Sequence, residues 1–330
     1  KTLHRTVIFV LCIFYLSNSE ASLFQCLAIS LTPEKLPTKF SGYNISLGLL
    51  FSDYPVKPNS IFFVETSCRH GNNLGLTVRQ ACTYESTARA HPNSEILILF
   101  PAPVFLGEDP LPHIREVLSL PNVKLLRVNI ERYLKDTPLE NFDFVTKMGR
   151  SKFSMSHASD YLRFVTLWKY GGTYLDSDFI VMRPLNSVDN FIAAEDENRV
   201  NVAVLNINIS SEIGKYAAEE FLKESIRRFN PREWAENGPG SATRVIKRIC
   251  KETRVSLLIH PSSGVACFTL YRLVCHLNLW KGSIDRVFAK EKEENDKCTE
   301  GYFTAHWQSN VYVKSESCLC LLNSPTALVE

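Results

Sequence analysis

From residue 60 onward, short apolar runs alternate with segments that carry a helical period. Ile61-Phe62-Phe63-Val64, the run from Glu95 to Phe100 and the run from Val123 to Val128 are too apolar and too short for anything but strands buried in a sheet. Between the first two, the residues from Leu76 to Ala90 space their apolar positions as a helix does, and Pro92 just beyond forbids continuation. His113 to Leu120 reads as a short helix. Strands and helices alternating at this pitch predict an α/β fold with a mostly parallel central sheet covered on both faces. A longer helix is expected from about Ser156, a plausible N-cap, to Tyr170, where Gly171-Gly172 would end it with a left-handed cap and a turn. A strand resumes at Thr173-Tyr174-Leu175 and runs into Asp176-Ser177-Asp178. Farther on, a strand is expected near Val200–Ile207, with helices near Ile213–Phe229 and Ala242–Cys250. The last forty or so residues carry no clear period, and no internal repeat is visible.

The N-terminal pattern is different. Thr6 to Ser19 carries no charge, and Lys1 and Arg5 precede it. This order fits a signal anchor or a cleaved signal peptide. The strongly apolar part, Val7 to Leu16, is short against the roughly 20 residues a spanning helix needs. The favoured reading is a short type II anchor over residues 1–20 with its positive end in the cytosol, and either reading sends the rest of the chain to the lumen. Residues 21–59, with several Pro and Ser, read as a stem. The remainder divides into residues 60–195, which contain the paired acids, and residues 196–330. Asn44-Ile45-Ser46 and Asn208-Ile209-Ser210 are glycosylation sequons, and nine of the ten cysteines follow the apolar segment, so most would pair in an oxidising lumen. Their spacings do not suggest a zinc site.

Composition sets bounds. The chain has 330 residues, 45% of them hydrophobic, enough for one large α/β domain or two closely joined halves. With 37 basic and 35 acidic residues the net charge is +2, which gives no reason to propose nucleic acid as a partner.

The chemistry concentrates in Ser159-Asp160-Tyr161-Leu162-Arg163 and, after the glycine pair, in Asp176-Ser177-Asp178. Two carboxylates two residues apart at the end of a strand fall on one side of it and repel. A hard divalent cation, Mn²⁺ or Mg²⁺, relieves the repulsion and could hold a diphosphate at the C-terminal edge of the sheet. Asp160 and Arg163 lie three apart on the preceding helix and share a face. Arg163 could meet phosphate charge through its planar fork, and Asp160 could accept hydrogen bonds from sugar hydroxyls. An isolated Asp-x-Asp often marks only a solvated turn, and an i,i+3 Asp–Arg pair only a surface ion pair. The combination with a leading strand, a Gly-Gly turn and an Asp/Arg helix is far more specific.

At these residues the stretch SDYLRFVTLWKYGGTYLDSDFIVMRPL resembles the glycosyltransferases with a DXD sugar-binding region. IFFVETS (Ile61–Ser67), CTYESTARAHPNSEILIL (Cys82–Leu99) and NGPGSATRVIKRIC (Asn237–Cys250) are similar to segments of the α-1,4-glycosyltransferases within that group. The resemblance implies a GT-A fold, a type II Golgi membrane protein with a luminal catalytic domain, and transfer with retention from UDP-galactose or a UDP-N-acetylhexosamine to a glycolipid or other β-galactoside glycan, as in glycosphingolipid synthesis. On this basis residues 60–195 form the donor-binding half and 196–330 the acceptor-side half. Asp178 would bind the metal directly, and Asp176 would bind it through water or hold the ribose. Asp160 and Arg163 would hold the donor hexose and phosphate as the catalytic pair, and Val64, Glu65 and Thr66 would line the uridine site. His306 is a candidate further metal ligand or phosphate contact. The chain departs from the family pattern where Val202 follows Asn201 and where His306 and Trp307 are adjacent. Other classes weighed are a catalytically weak or inactive carbohydrate-binding relative of the same fold, and a phosphohydrolase of the haloacid-dehalogenase type. Against the latter, Ile180 stands where a Thr or Val usually does.

Overall fold

A computed structural model describes residues 53–67, 69, 74–102, 104, 109–181, 184–185, 189–195, 198–251, 269–272 and 304–306. The apolar N-terminal segment, most of the stem, the Asn44 sequon and Trp307 lie outside the described residues, as do the side chains of 269–272 and 304–306. Among the described residues no helix is long and apolar enough to cross a membrane.

The apolar runs become the strands the pattern predicts. β1 (Ile61–Val64), β2 (Ile96–Phe100), β3 (Val123–Arg127) and β4 (Gly172–Leu175) pair in parallel in the order β3-β2-β1-β4. β7 (Val200–Ile207) continues the sheet antiparallel to β4, with Thr173 opposite Asn206 and Leu175 opposite Val204. β6 (Phe191–Ala194) runs antiparallel to β7 and parallel to β8 (Thr269–Arg272), which closes a seven-stranded mixed sheet. A separate ribbon pairs β5 (Phe179–Val181) antiparallel with β9 (Thr304–His306).

Side chains alternate across the sheet, so it has two cores. Phe62, Val64, Leu97 and Leu99 point to one, with Phe164, Phe221 and Val245; Ile61, Phe63, Ile96 and Ile98 point to the other, with Ala81, Tyr84, Ile114 and Val117. The second core is roofed by α1 (Val78–Ala90) and α2 (Pro112–Ser119). α1 starts on a capping box in which the Thr77 side chain accepts from Gln80 N and the Gln80 side chain reaches back to Thr77 N. The first core contains α3 (Ile130–Leu134), α4 (Phe144–Gly149), α5 (Ser154–Tyr170), α6 (Glu212–Arg227) and α7 (Ser241–Cys250), the last entered through a π-helical turn at Glu236–Gly240.

α5 begins before Ser156, which lies inside it; Phe153 is the N-cap. The Ser151 hydroxyl takes the Phe153 N–H (3.0 Å) and meets His157 Nδ1 (2.6 Å), and this extends the helix at its start. At the other end Gly171 has φ 63 with ψ −153, an extended mirror conformation nearly confined to glycine rather than the helical left-handed cap expected. Gly172 follows at φ 85, and a Cβ on it would press on the Ser60 carbonyl.

α6 and α7 are clamped by one acid. Glu224, 1% exposed, accepts from Arg244 Nε (2.7 Å) and Arg248 Nη1 (3.4 Å) on α7 and pairs with Arg227 and with Arg228 Nε (3.2 Å). Burial disfavours its ionisation, but the hydrogen bonds and charges of Arg244 and Arg227 outweigh that and hold its carboxyl below the usual range. Cys82 and Cys250 are both disulfide-bonded.

Candidate functional site

Adjacent parallel strands β1 and β4 end side by side, and the residues just past their C-termini make a cleft of about 330 Å³. Val64, Glu65 and Thr66 form one wall, and Tyr174, Asp176, Ser177 and Asp178 form another. The paired acids are not on a strand, as the sequence suggested. β4 stops at Leu175, and Ser177 and Asp178 form a turn into β5. That turn is pinned from α1: Thr83 Oγ1 donates to the Ser177 carbonyl (3.2 Å), and the Tyr84 and Ser177 hydroxyls meet at 3.0 Å. Both carboxylates therefore line the same cleft, by turn geometry rather than strand alternation.

Asp176 is held from behind. The Tyr174 hydroxyl donates to its Oδ1 (2.6 Å), and Arg163 Nη2 pairs with the same oxygen (3.2 Å). Arg163 also pairs with Asp160 Oδ1 (3.3 Å), donates to the Val202 carbonyl (2.8 Å) and to Ser159 Oγ (3.1 Å), and lies 4.5 Å from the Tyr174 ring centroid. Its side chain is 5% exposed, and neither Arg163 nor Asp160 lines the cleft. The expected fork toward phosphate is instead turned to protein: Arg163 sits behind Asp176 and fixes it. Burial opposes the Arg163 charge, but Asp176, Tyr174 and Asp160 together keep it firmly protonated. Burial pushes the Asp160 pKa up to about 7, with Arg163 pulling it back and Asp176 adding to the rise. The Asp160 carboxylate packs directly on Gly238 of the π-helical turn, where any Cβ would overlap it.

Sequence reasoning missed the cations that do line the cleft, Arg69 and Arg79, together with Thr77 and Gln80. Gln80 donates to Glu65, whose Oε1 also takes the Ser67 N–H (2.8 Å), and the Gln80 carbonyl oxygen accepts from Arg69 (3.1 Å). The signal was present: a Thr-x-x-Gln capping box places the first turn of α1 at a strand end. Thr66 Oγ1 donates to the Met155 carbonyl (3.0 Å), which ties the cleft wall to the start of α5. The His306 backbone pairs opposite Phe179, one residue from Asp178, while its side chain lies outside the described residues. Asn208 follows β7; its side chain donates to Asp189 (2.8 Å) and accepts from Ser210 N (2.9 Å).

Hard oxygen donors on Asp176 and Asp178 suit Mn²⁺ or Mg²⁺. Among the described residues no group of three or more His, Cys, Asp or Glu could hold a metal ion. Two carboxylates facing one cleft fit an open site, in which a cation would take one or both and complete its shell from substrate phosphates and water.

Residues 77–197 match the glycosyltransferase sugar-binding region containing DXD motif, and residues 210–320 match the alpha 1,4-glycosyltransferase conserved region. Over 197 residues the chain is 32% identical to human lactosylceramide 4-alpha-galactosyltransferase, covering 58% of this chain and 53% of that one. Over 182 residues it is 26% identical to human alpha-1,4-N-acetylglucosaminyltransferase, covering 52% and 50%. The chain thus spans about half the length of these relatives. Among solved structures, PaToxG glycosyltransferase aligns with a TM-score of 0.43 at 17% identity over 73% of this chain and 79% of that one. Galactosyltransferase LgtC with donor and acceptor sugar analogs aligns at 0.31 and 16%, over 57% and 69%.

Proposed function

We propose, from the premise that this chain is a homologue of the α-1,4-glycosyltransferases with a GT-A α/β fold, that it transfers a hexose from a UDP-sugar to a glycan acceptor with retention of configuration. Within that reading the donor is UDP-galactose or a UDP-N-acetylhexosamine, the acceptor is a glycolipid or other β-galactoside, and the linkage is α-1,4. The chain works in the Golgi lumen behind an N-terminal type II anchor, glycosylated at Asn44 and Asn208. The observation that carries the proposal is the meeting of Asp176 and Asp178 with the Val64–Thr66 wall at the ends of two adjacent parallel strands.

Each residue has a role in this reading. Glu65, fixed by Gln80 and Ser67 N, and Thr66, fixed to Met155, form the uridine wall with Val64. Arg69 and Arg79 bring positive charge to the cleft, where a diphosphate needs it. Asp178 and Asp176 hold the divalent cation, Mn²⁺ or Mg²⁺, with His306 as a further contact. When bound, that cation neutralises charge on the leaving diphosphate. Arg163, Tyr174 and Ser159 are positioning residues that lock the Asp176 carboxylate before substrate arrives, so little reorganisation remains at the moment of reaction. Asp160 couples this lock to the π-helical turn. The bond from the anomeric carbon to the diphosphate oxygen breaks, the acceptor hydroxyl attacks from the same face, and its proton passes to the leaving phosphate oxygen.

The test is a donor screen with UDP-galactose, UDP-N-acetylgalactosamine and UDP-N-acetylglucosamine, with lactosylceramide and simple β-galactosides as acceptors and Mn²⁺ present. One donor should be turned over, and Asp178→Ala should lower kcat at least about 100-fold, the scale on which single electrostatic contacts act in catalysis. Retained turnover in Asp178→Ala, or no turnover of any donor by the wild type, overturns the reading.

A further inference from the structure

One helix touches both walls of the cleft. The first turn of α1 holds the wall that follows β1: Gln80 donates to Glu65, and its carbonyl oxygen accepts from Arg69 (3.1 Å). The later turns hold the chain that begins with the acidic turn. The Tyr84 and Ser177 hydroxyls meet at 3.0 Å, and Thr83 Oγ1 faces the Ser177 carbonyl (3.2 Å). Farther along, Ser86 Oγ accepts from Val181 N (3.2 Å), and His91 Nε2, on the C-cap residue, accepts from Leu185 N (2.7 Å). All four of these side chains are buried, so α1 grips the acidic segment along its whole length through polar contacts shut away from water.

Tyr84 is the contact that bears most directly on the acids. Ser177 stands between Asp176 and Asp178, so whatever fixes it fixes the peptide units that carry both carboxylates. The Thr83 hydroxyl has one proton and faces two carbonyls at 3.2 Å, those of Arg79 and Ser177, so its donation is divided. The Tyr84 ring is fully buried and set edge-on against Phe63 of β1, with centroids 4.9 Å apart, so its hydroxyl is aimed by packing. Burial pushes the phenol pKa up and the Glu65 charge adds to the rise, so the group stays protonated beside the acidic turn. A tyrosine that only filled the core could place its hydroxyl on a backbone carbonyl inside it. This one reaches a side chain that lines the cleft.

We propose that Tyr84 is a positioning residue for the divalent cation: through Ser177 it sets where Asp176 and Asp178 stand relative to the wall that Gln80 holds. The inference rests on the transferase reading above. In it, α1 is a bracket that keeps the cation's carboxylates at the right distance from the nucleoside, so that a nucleoside diphosphate can reach both at once.

The experiment uses the full chain. Mn²⁺ binding is read from the EPR signal of free Mn²⁺ in the presence of UDP, and UDP binding in EDTA is read by calorimetry. Tyr84→Phe keeps the ring and removes the hydroxyl. Ser177→Ala removes the same bond from the cleft side, which keeps the test open if Tyr84→Phe folds poorly. The double variant is included. The control is Tyr133→Phe, which removes a buried hydroxyl pair of the same kind, with Thr166 (2.8 Å), in the first core. Each single variant should weaken Mn²⁺ binding about three- to ten-fold, the scale of one hydrogen bond, and the double variant should be no weaker than either. UDP affinity in EDTA should stay at the wild-type value, and Tyr133→Phe should bind Mn²⁺ as wild type does. Unchanged Mn²⁺ affinity in the single variants, additive losses in the double, or an equal loss in Tyr133→Phe each overturn the positioning role. So does a matching loss of UDP affinity in EDTA, which would make the contact a general prop. If wild type binds both ligands and only the variants fail to differ from it, the transferase reading stands without this inference. If wild type binds neither UDP nor Mn²⁺, both fall.

Discussion

Two ionic clusters with opposite balances are built on the helices of the first core. Near the cleft, one cation, Arg163, serves two carboxylates, Asp160 and Asp176. Between α6 and α7, one carboxylate, Glu224, serves four arginines. The first cluster is buried at its back, where Arg163 and Asp160 are both 5% exposed and Asp160 is pushed up to a pKa of about 7, and meets the cleft only through Asp176, 31% exposed. The second is open on one side, since Arg227, Arg228 and Arg248 reach solvent, and its acid is held low. The difference separates a site from a clamp. A cluster short of cations, with one acid facing a cleft, is poised to respond to added positive charge, whereas one whose acid is surrounded by arginines fastens two helices.

The sharpest way to break the comparison is to remove the single cation. Arg163→Met leaves buried Asp160, and Asp176 in front of it, without their cation, and urea unfolding should show a loss of about 3–5 kcal/mol with transfer activity gone. Arg163→Lys should not restore activity, because an ammonium cannot span Val202, Ser159 and both carboxylates. Removing the buried anion should cost less, since Arg248 keeps Glu220 and Arg244 keeps Glu236. Glu224→Gln strands arginines that can rehydrate, so we expect about 1–3 kcal/mol in the same unfolding experiment, with kcat per folded molecule kept. A large kcat loss in Glu224→Gln would erase the distinction between site and clamp. The smallest effect is a pH dependence. Because the Glu224 carboxyl is held below its ordinary value of 4.5, the folded chain binds that proton less readily than the unfolded chain. Its contribution is full above that value and is lost as pH falls through the lower folded pKa, so the gap between wild-type and Glu224→Gln stabilities should narrow as pH falls below 4.5.

The parts that were legible in the sequence share a physical cause. β1, β2 and β3 are short unbroken apolar runs because both their faces are covered, and that pattern cannot be hidden. The glycine pair marked the end of α5 because backbone crowding there leaves no alternative. Short elements such as α3, β5, β6 and β9 were not read, since three to five residues carry no usable period and their pairing is set by distant partners. The direction of Arg163 was invisible for another reason. Every residue from His157 to Leu167 is buried, so α5 has no wet stripe to say which side faces the cleft. The i,i+3 spacing joined Asp160 to Arg163 correctly but could not say that both lie behind Asp176.

The glycine corner has a consequence for how such a chain can change over time. It is wedged against the Ser60 and Ile207 carbonyls, and only three residues, Thr173 to Leu175, separate it from Asp176. With one end immovable, Thr173 and Tyr174 locked between β1 and β7, and Leu175 paired to β7, the spacer acts as a ruler of fixed length. Insertions or deletions there would shift the acidic turn by a whole strand step of about 3.3 Å, and a lineage could drift in its loops while this interval stayed frozen.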